Sequence, residues 1–400
     1  MLGLIKEAQK KIAGVITHTP LIFSSSLSRI YGFDCYLKLE NLQKTGSFKV
    51  RGAYNKISSL TDKERSKGVV AASLGNHAQG VAWASSLLGV RSIIVMPETT
   101  PIVKFVATKS YGAQVIFHGK FFDEAYDHAA ALSKERGMAF IPPFDDDLVM
   151  AGQGTIGLEI IAALPDVDAV IVPIGGGGLI SGISSAIKEA GSNAAIFGVE
   201  AEASKSCMES LKAGRPVDVE RRATLADGIA VKRVGDRTFP IIKKYVEDVV
   251  SVGEESIAAS ILLLLERKKL IAEGAGAAPL AAIMEGKIPK IRKGVLVLSG
   301  GNIDVTMLDR VIRAGMLKEG RIMRISTVVE DSPGFLARLA AEIADLKANI
   351  LHIIHQREAM DLPVRMIGLE IILEVEGREH GEKVFRTLGE KGYSVKRYPG

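Results

Sequence analysis

DAVIVPIGGGGLISG, residues 168–182, reads as a buried strand, a glycine turn and the start of a helix. The run Ala169 to Ile174 is apolar throughout, as a strand covered on both faces requires. Gly175, Gly176, Gly177 and Gly178 then lead into a helical pattern that reaches Ala190. Glycines let successive N–H groups turn toward one anion, and the helix dipole adds favourable potential. Four consecutive glycines cost about 0.5–1 kcal/mol each relative to alanine in regular structure, which favours a phosphate site over a plain tight turn. The loop lacks the Lys-Ser/Thr of a nucleotide P-loop and the G-x-G-x-x-G of a dinucleotide fold.

Outward from this stretch the same strand, turn and helix recur. On the N-terminal side lie VVAAS (69–73), RSIIVM (91–96) and AQVIF (113–117), each followed by a helical pattern. They predict a parallel α/β subdomain over roughly 45–145, ending at PPFDDD (142–147). On the C-terminal side, AIFGVEA (195–201), EDVVSV (247–252) and GVLVLSGGN (294–302) predict a second parallel sheet. Thr17 to Leu21 reads as a turn, Asp34 to Leu39 as a strand, and 202–240 as a polar helix with a loop at Ala226-Asp227-Gly228. After Arg321 the pattern changes to strand 323–330, helix to about Lys347, strands 349–357 and 366–375, helix 380–391 and strand 393–398. That is βαββαβ, a ferredoxin-like split unit. The expected division is 1–320 and 321–400.

The chain has 400 residues, 47% hydrophobic and 24% charged, with 41 glycines and a net charge of +5. Its basic residues are mixed with acids, and no Lys/Arg tract is interleaved with aromatics, which argues against nucleic-acid binding. Two cysteines, Cys35 and Cys207, make no disulfide framework and no zinc motif. The N-terminal stretch reads as an amphipathic helix and not as a signal peptide, and no apolar run approaches a membrane span. A cytoplasmic protein is expected.

KTGSFKVRG, residues 44–52, places Lys49 between Phe48 and Val50 with glycines at both ends. A carbonyl cofactor needs a primary amine held still in a cleft, and Lys49 suits that role. Taken alone, the same alternation also fits a strand with Lys49 in water. Three further loops end strands. In SLGNHAQG (73–80), amides, Ser73 and Asn76 could hold a carboxylate and a phenolic oxygen, or merely cap a helix; His77 reads as structural. Ser299, opening SGGN (299–302), can donate a neutral hydrogen bond, or belong to a turn. Glu273, opening EGAG (273–276), could line a site or favour a helix N-terminus.

GSFKVRG, SLGNHAQG, GGGGL, ADG, EGAG and SGGN, in this order, resemble the threonine dehydratases (threonine ammonia-lyases), pyridoxal phosphate (PLP) enzymes of fold type II, tryptophan-synthase-β-like. The resemblance covers about residues 5–315, and the tail resembles an ACT domain, with Asp331-Ser332-Pro333-Gly334 as its first turn. It implies that Lys49 holds PLP as a Schiff base. Asn76 would bond the ring hydroxyl, Gly175 to Gly178 and Leu179 would cradle the phosphate, and Ser299 would meet the ring nitrogen. Ser73, Leu74, Gly75, Asn76 and Glu273 would surround the amino-acid substrate. Serine racemases carry a second catalytic serine where this chain has Leu74, so elimination is favoured over racemisation. Glu200 matches an acid of a metal site in some relatives, but Ser206 stands where another acid is expected, so no divalent metal is expected. A monovalent cation stays open.

The implied activity is conversion of L-threonine or L-serine to a 2-oxo acid and ammonia, within amino-acid metabolism that includes isoleucine biosynthesis. Two alternatives remain: another β-eliminating or β-replacing PLP enzyme, such as an O-acetylserine sulfhydrylase, and a non-catalytic amino-acid sensor. ACT domains usually pair, so a homo-oligomer, dimer or tetramer, is expected. Asp331, Gly334, Asn349 and Ile350 are the candidates for binding an amino-acid effector.

Overall fold

The structure, a computed structural model, describes residues 1–356 and 365–397. The chain divides into two compact units, Met1–Asp304 and Val305–Gly400. The helix Val305–Lys318 therefore groups with the tail.

The first unit holds two sheets. The larger contains β1 (Leu21–Phe23), β2 (Asp34–Leu39), β7 (Ala169–Pro173), β8 (Ala195–Ala201), β9 (Asp248–Val252) and β10 (Lys293–Leu298). The smaller contains β3 (Val69–Ala72), β4 (Ser92–Met96), β5 (Gln114–Phe117) and β6 (Ala139–Phe140). Their orders are β1-β2-β10-β7-β8-β9 and β5-β4-β3-β6. All pairings are parallel except β1 with β2. Leu21 thus opens an antiparallel edge strand at the end of the segment read as a turn, and β6 is too short to show a periodic signal.

Every residue of β3, β4 and β7 is buried, which matches strands sandwiched between helices. Helices on both faces complete the burial. The cores are Ile156, Ile160, Ile180, Ile183 and Val297 around the larger sheet, and Val69, Ala71, Ile94, Val50 and Val81 around the smaller.

The segment 44–52 is not a strand. Lys49 opens a helix, Lys49–Ser58. A second helix presses on it closely. A Cβ on Gly52 would stand 2.7 Å from the Val149 carbonyl oxygen, and one on Gly152 would stand 2.6 Å from that of Arg51. The helix Asp147–Ala163 therefore meets it backbone to backbone, which only glycine allows. On the Lys49 helix Arg51 is fully buried and pairs with Glu40 and Glu159.

In the second unit β11 (Ile322–Glu330), β12 (Asn349–Gln356), β13 (Met366–Glu374) and β14 (Val395–Arg397) form an antiparallel sheet, ordered β12-β13-β11-β14. The helices Phe335–Asp345 and Arg378–Glu390 bury Leu339, Ile343, Val384 and Leu388 with Ile325, Ile371 and Leu373. Arg357 and Tyr398, the last residues of two predicted strands, lie outside the described residues.

Candidate active site

Strands β3, β7 and β10 end at the same crevice, and the loop after each is one of those singled out in the sequence. A cavity of about 640 Å³ opens there. It is lined by Lys49, Ser73, Leu74, Gly75, Asn76, Gly175 to Gly178, Leu179, Glu273 and Ser299. All the cofactor and substrate candidates of the first unit thus share one space.

Lys49 is half-buried, and its Nζ donates to the Pro143 carbonyl at 2.7 Å. Burial pulls its pKa down to about 8, with partial compensation from Glu273. Near neutrality a larger fraction of this amine is uncharged and nucleophilic than of an ordinary lysine.

The helix Gly178–Glu189 offers its first-turn amides, which have no intrahelical carbonyl partner. Gly177 precedes it with φ +92°. The Gly176 carbonyl is engaged from outside the loop by Thr238 Oγ1 at 2.7 Å and Gly235 N at 3.1 Å. Phe144 packs so closely that a Cβ on Gly176 would reach its ring at 2.3 Å, and one on Gly178 its Cα at 2.9 Å. PPFDDD, read as a boundary, is therefore part of the site, through Pro143 and Phe144. Asp145 and Asp146 do structural work: Asp145 accepts from the amides of Arg237 and Thr238, and Asp146 caps the helix that follows.

Ser73 Oγ accepts from Gly75 N at 3.2 Å, shaping the turn before the helix Asn76–Leu87. Asn76 Nδ2 donates to Glu273 Oε1 at 2.7 Å. Burial, then the charge of Asp227, lifts Glu273 to about 7, and the Asn76 bond offsets part of this. His77 stays neutral: its Nε2 lies 2.9 Å from the Ile141 carbonyl, and burial holds its pKa near 3. Ser299 is buried at the end of β10, and its carbonyl accepts from Phe48 N at 3.1 Å, tying that loop to Lys49.

Lys104, Asp227 and Asn302 also line the cavity and were given no site role from the sequence, although ADG and SGGN contain the last two. Lys104 and Asp227 form an ion pair at 2.6 Å between the helix Ile102–Ser110 and the ADG loop. Asn302 donates to Asn76 Oδ1. Each of these bonds joins residues more than 100 positions apart, so no local periodicity marks them.

Glu200 takes another role. It accepts from Cys207 N at 2.7 Å and Met208 N at 2.9 Å, capping the helix Ser206–Ala213, while burial lifts its pKa to about 7. Among the described residues no three His, Cys, Asp or Glu side chains gather as a metal cluster. No described helix is long and apolar enough to cross a membrane.

The effector candidates lie at two separate places within the chain. Asp331 and Gly334 follow Glu330, which pairs with Met366 at the start of β13. Asn349 pairs with Glu374 at its other end, with Ile350 beside it. Eight residues of extended chain separate these two ends, roughly 26 Å at about 3.3 Å per residue.

Residues 12–300 match the family model described as pyridoxal-phosphate dependent enzyme. The chain is 51% identical over 392 residues to a Thermotoga maritima protein named L-threonine ammonia-lyase, with 98% of each chain covered. Among solved structures it is similar to a threonine deaminase from T.th., with a TM-score of 0.72 and 42% identity, covering 76% of this chain and 98% of that one. It is similar also to maize serine racemase, with a TM-score of 0.75 and 34% identity, covering 79% and 98%. An amine drawn down to neutral range, an anion cradle at a helix start and a match over most of the chain lead to one conclusion: this chain belongs to the pyridoxal-phosphate dependent enzymes.

Proposed function

We propose that this chain eliminates the β-hydroxyl of L-threonine, and of L-serine, to give 2-oxobutanoate or pyruvate and ammonia. The observation that carries this reading is the single cavity holding Lys49, Asn76, Ser299 and the glycine cradle together. The full-length likeness to a protein named L-threonine ammonia-lyase supports it.

The residues present fit PLP. Gly175 to Gly178 are packed so closely that a Cβ on any of them would stand 3.0 Å or less from Ile229, Phe144 or Thr238, which keeps the loop bare beside helix amides suited to a phosphate. Lys49 supplies the amine for the aldehyde, Asn76 a partner for the ring oxygen, and Ser299 a neutral hydroxyl for the ring nitrogen. When bound, PLP supplies a sink for the electron pair released at the substrate Cα.

The amides after Ser73, with Gly75 and Asn76, receive the substrate carboxylate at a helix N-terminus. Lys49, freed by the incoming amine, takes the Cα proton; burial brings its pKa down to about 8, so it stays a base while a larger fraction of it is uncharged than for an ordinary lysine. The Cβ–O bond then breaks, and the leaving oxygen departs as water after gaining a proton. The enamine released tautomerises and hydrolyses to the 2-oxo acid and ammonia. Leu74 lines the cavity with a side chain that cannot carry a proton, so no group there returns one to the opposite face of Cα. This separates elimination from racemisation.

The catalytic part is assigned to 1–320 and a regulatory part to 321–400. Asp331 with Gly334, and Asn349 with Ile350, lie at opposite ends of the tail sheet. A single amino-acid effector touching both pairs therefore sits between the tails of two chains, which goes with a homo-oligomer. The test of the function is turnover: threonine should yield 2-oxobutanoate and ammonia with PLP present. No ammonia, with sulfide-dependent cysteine formation from O-acetylserine instead, would replace the reading with a β-replacing one.

A further inference from the structure

The Asn76 side chain is held at both ends. Its Nδ2 donates to Glu273 Oε1 at 2.7 Å, and its Oδ1 accepts from Asn302 Nδ2 at 2.7 Å. Asn302 Nδ2 also donates to the Thr45 carbonyl at 2.7 Å. An amide turned by half a rotation keeps its shape, so its partners decide which end is nitrogen. The Thr45 carbonyl can only accept, which fixes the Asn302 nitrogen toward it. The second hydrogen of that nitrogen faces Asn76 and selects the Asn76 oxygen. The Asn76 nitrogen is then on the Glu273 side. One of its hydrogens is bound there, and the other meets no protein acceptor among the described residues.

The surroundings hold Asn302 still. Gly46, at φ +72°, passes so near that a Cβ on it would stand 2.3 Å from Asn302 Oδ1. Gly301 N donates to the Gly46 carbonyl at 2.9 Å, and Ser47 bridges to Gly300. Asn302 is thus fixed to the loop that leads into Lys49, and both asparagines line the cavity.

We infer that Asn302 is a positioning residue that locks the Asn76 amide with its nitrogen on the Glu273 side, so that position 76 offers a ligand a hydrogen-bond donor and no acceptor. This rests on the proposed reading that Asn76 meets the ring oxygen of PLP, an oxygen that is best held by a donor when ionised. Glu273 alone does not set the orientation, because a protonated carboxyl can donate to the amide oxygen and turn the amide round. Burial lifts Glu273 to about 7, so that form is populated near neutrality, and Asn302 opposes the turn.

The test uses the full chain loaded with PLP and the variants Asn302→Ala, Asn302→Asp and Asn76→Ala. The readouts are the visible absorption maximum of the bound cofactor, the PLP Kd from titration of the apo-protein, and Tm. Both Asn302 variants should displace the absorption maximum in the direction Asn76→Ala does, and raise the PLP Kd by roughly tenfold. Asn302→Asp keeps the side-chain shape and replaces the donor by a charged acceptor, which favours the turned Asn76 amide, so it reports even if the alanine variant does not fold. Asn302 variants with the wild-type absorption maximum and Kd overturn the inference, whatever their Tm, since loss of packing alone lowers Tm and leaves the spectrum. If Asn76→Ala shifts both readouts and the Asn302 variants shift neither, only the lock is wrong. If Asn76→Ala shifts neither, the proposed role of Asn76 falls, and the lock with it.

Discussion

Arg51 grips Glu40 with two hydrogen bonds of 2.8 Å, from Nε and Nη2, and neither side chain is exposed at all. Glu159 accepts from Arg51 Nη1 at 2.6 Å and from Lys38 Nζ at 2.5 Å. Thr19 Oγ1 also donates to Glu40. Two positive and two negative groups thus balance inside the protein, two residues beyond Lys49. They bind β2, the segment after it, the Lys49 helix and the helix Asp147–Ala163.

Removing one member strands the others. Arg51→Met leaves Glu40 and Glu159 buried with too little positive charge. The expected loss is about 3–5 kcal/mol of unfolding free energy. Chemical denaturation of the apo-protein measures it. A loss below ~1 kcal/mol would show that the buried carboxyls find other partners or take up protons at little cost.

Gly177 has φ +92°, and a Cβ there would stand 2.7 Å from Thr238 Oγ1. Gly191 has a similar φ, +87°, but open space around it. Alanine at either position carries a backbone cost of about 1–2 kcal/mol. Only Gly177→Ala should also weaken PLP binding, because only there does the cradle have to move. Titration of both apo-variants with PLP checks this. Equal PLP Kd values would separate the cradle from the cofactor.

Much of this arrangement is legible in the chain. Apolar runs such as AVIVP and VVAA announce buried strands, and glycine turns mark where they end. Within one parallel sheet such ends lie together, which is why Gly175 and Ser299 meet; Ser73, from the smaller sheet, joins them because both sheets end their strands at the same crevice. The local form of 44–52 is ambiguous in sequence, because S-F-K-V-R alternates like a strand while close glycine contacts from a distant helix make it a helix start. Asn302, Pro143, Phe144 and the Arg51 cluster stay hidden for one reason. Their partners lie far along the chain, and a single side chain finding a distant carbonyl leaves no periodic trace.

Among the groups that shape the pH dependence of the apo-protein, which include Glu200 near 7 and His77 near 3, Glu273 and Lys49 act in separate ranges. Glu273 titrates near 7 when folded, against an ordinary value of 4.5. Between those values the native state holds a proton the unfolded chain has lost, so the contribution of Glu273 to stability falls as pH rises from 4.5 to 7. Lys49 titrates near 8, against 10.5. Between those values the unfolded chain holds the extra proton, so stability rises as pH goes from 8 to 10.5. Glu273→Gln should make the slope of stability against pH between 4.5 and 7 less negative, or more positive, than in the wild type. Tm measured across pH for wild type and variant decides it, and an unchanged slope would contradict the burial argument.

Leu74 lines the cavity and offers no exchangeable proton. Leu74→Ser places a hydroxyl there. The expected outcome is a measurable rate of D-serine formation from L-serine, with elimination retained. Chiral chromatography of the reaction reads it. Absence of D-serine would show that position 74 does not by itself separate the two outcomes.

The central claim is that Lys49 carries the cofactor and moves the Cα proton. Borohydride reduction of the PLP-loaded protein, followed by peptide mass analysis, tests it most directly when paired with Lys49→Ala. The account predicts loss of visible absorbance with the added PLP mass on the peptide containing Lys49. It also predicts a fall of about 10³-fold or more in 2-oxobutanoate formation by Lys49→Ala. Label on a different lysine, or a Lys49→Ala protein that keeps both its visible absorbance and its turnover of threonine, would contradict it.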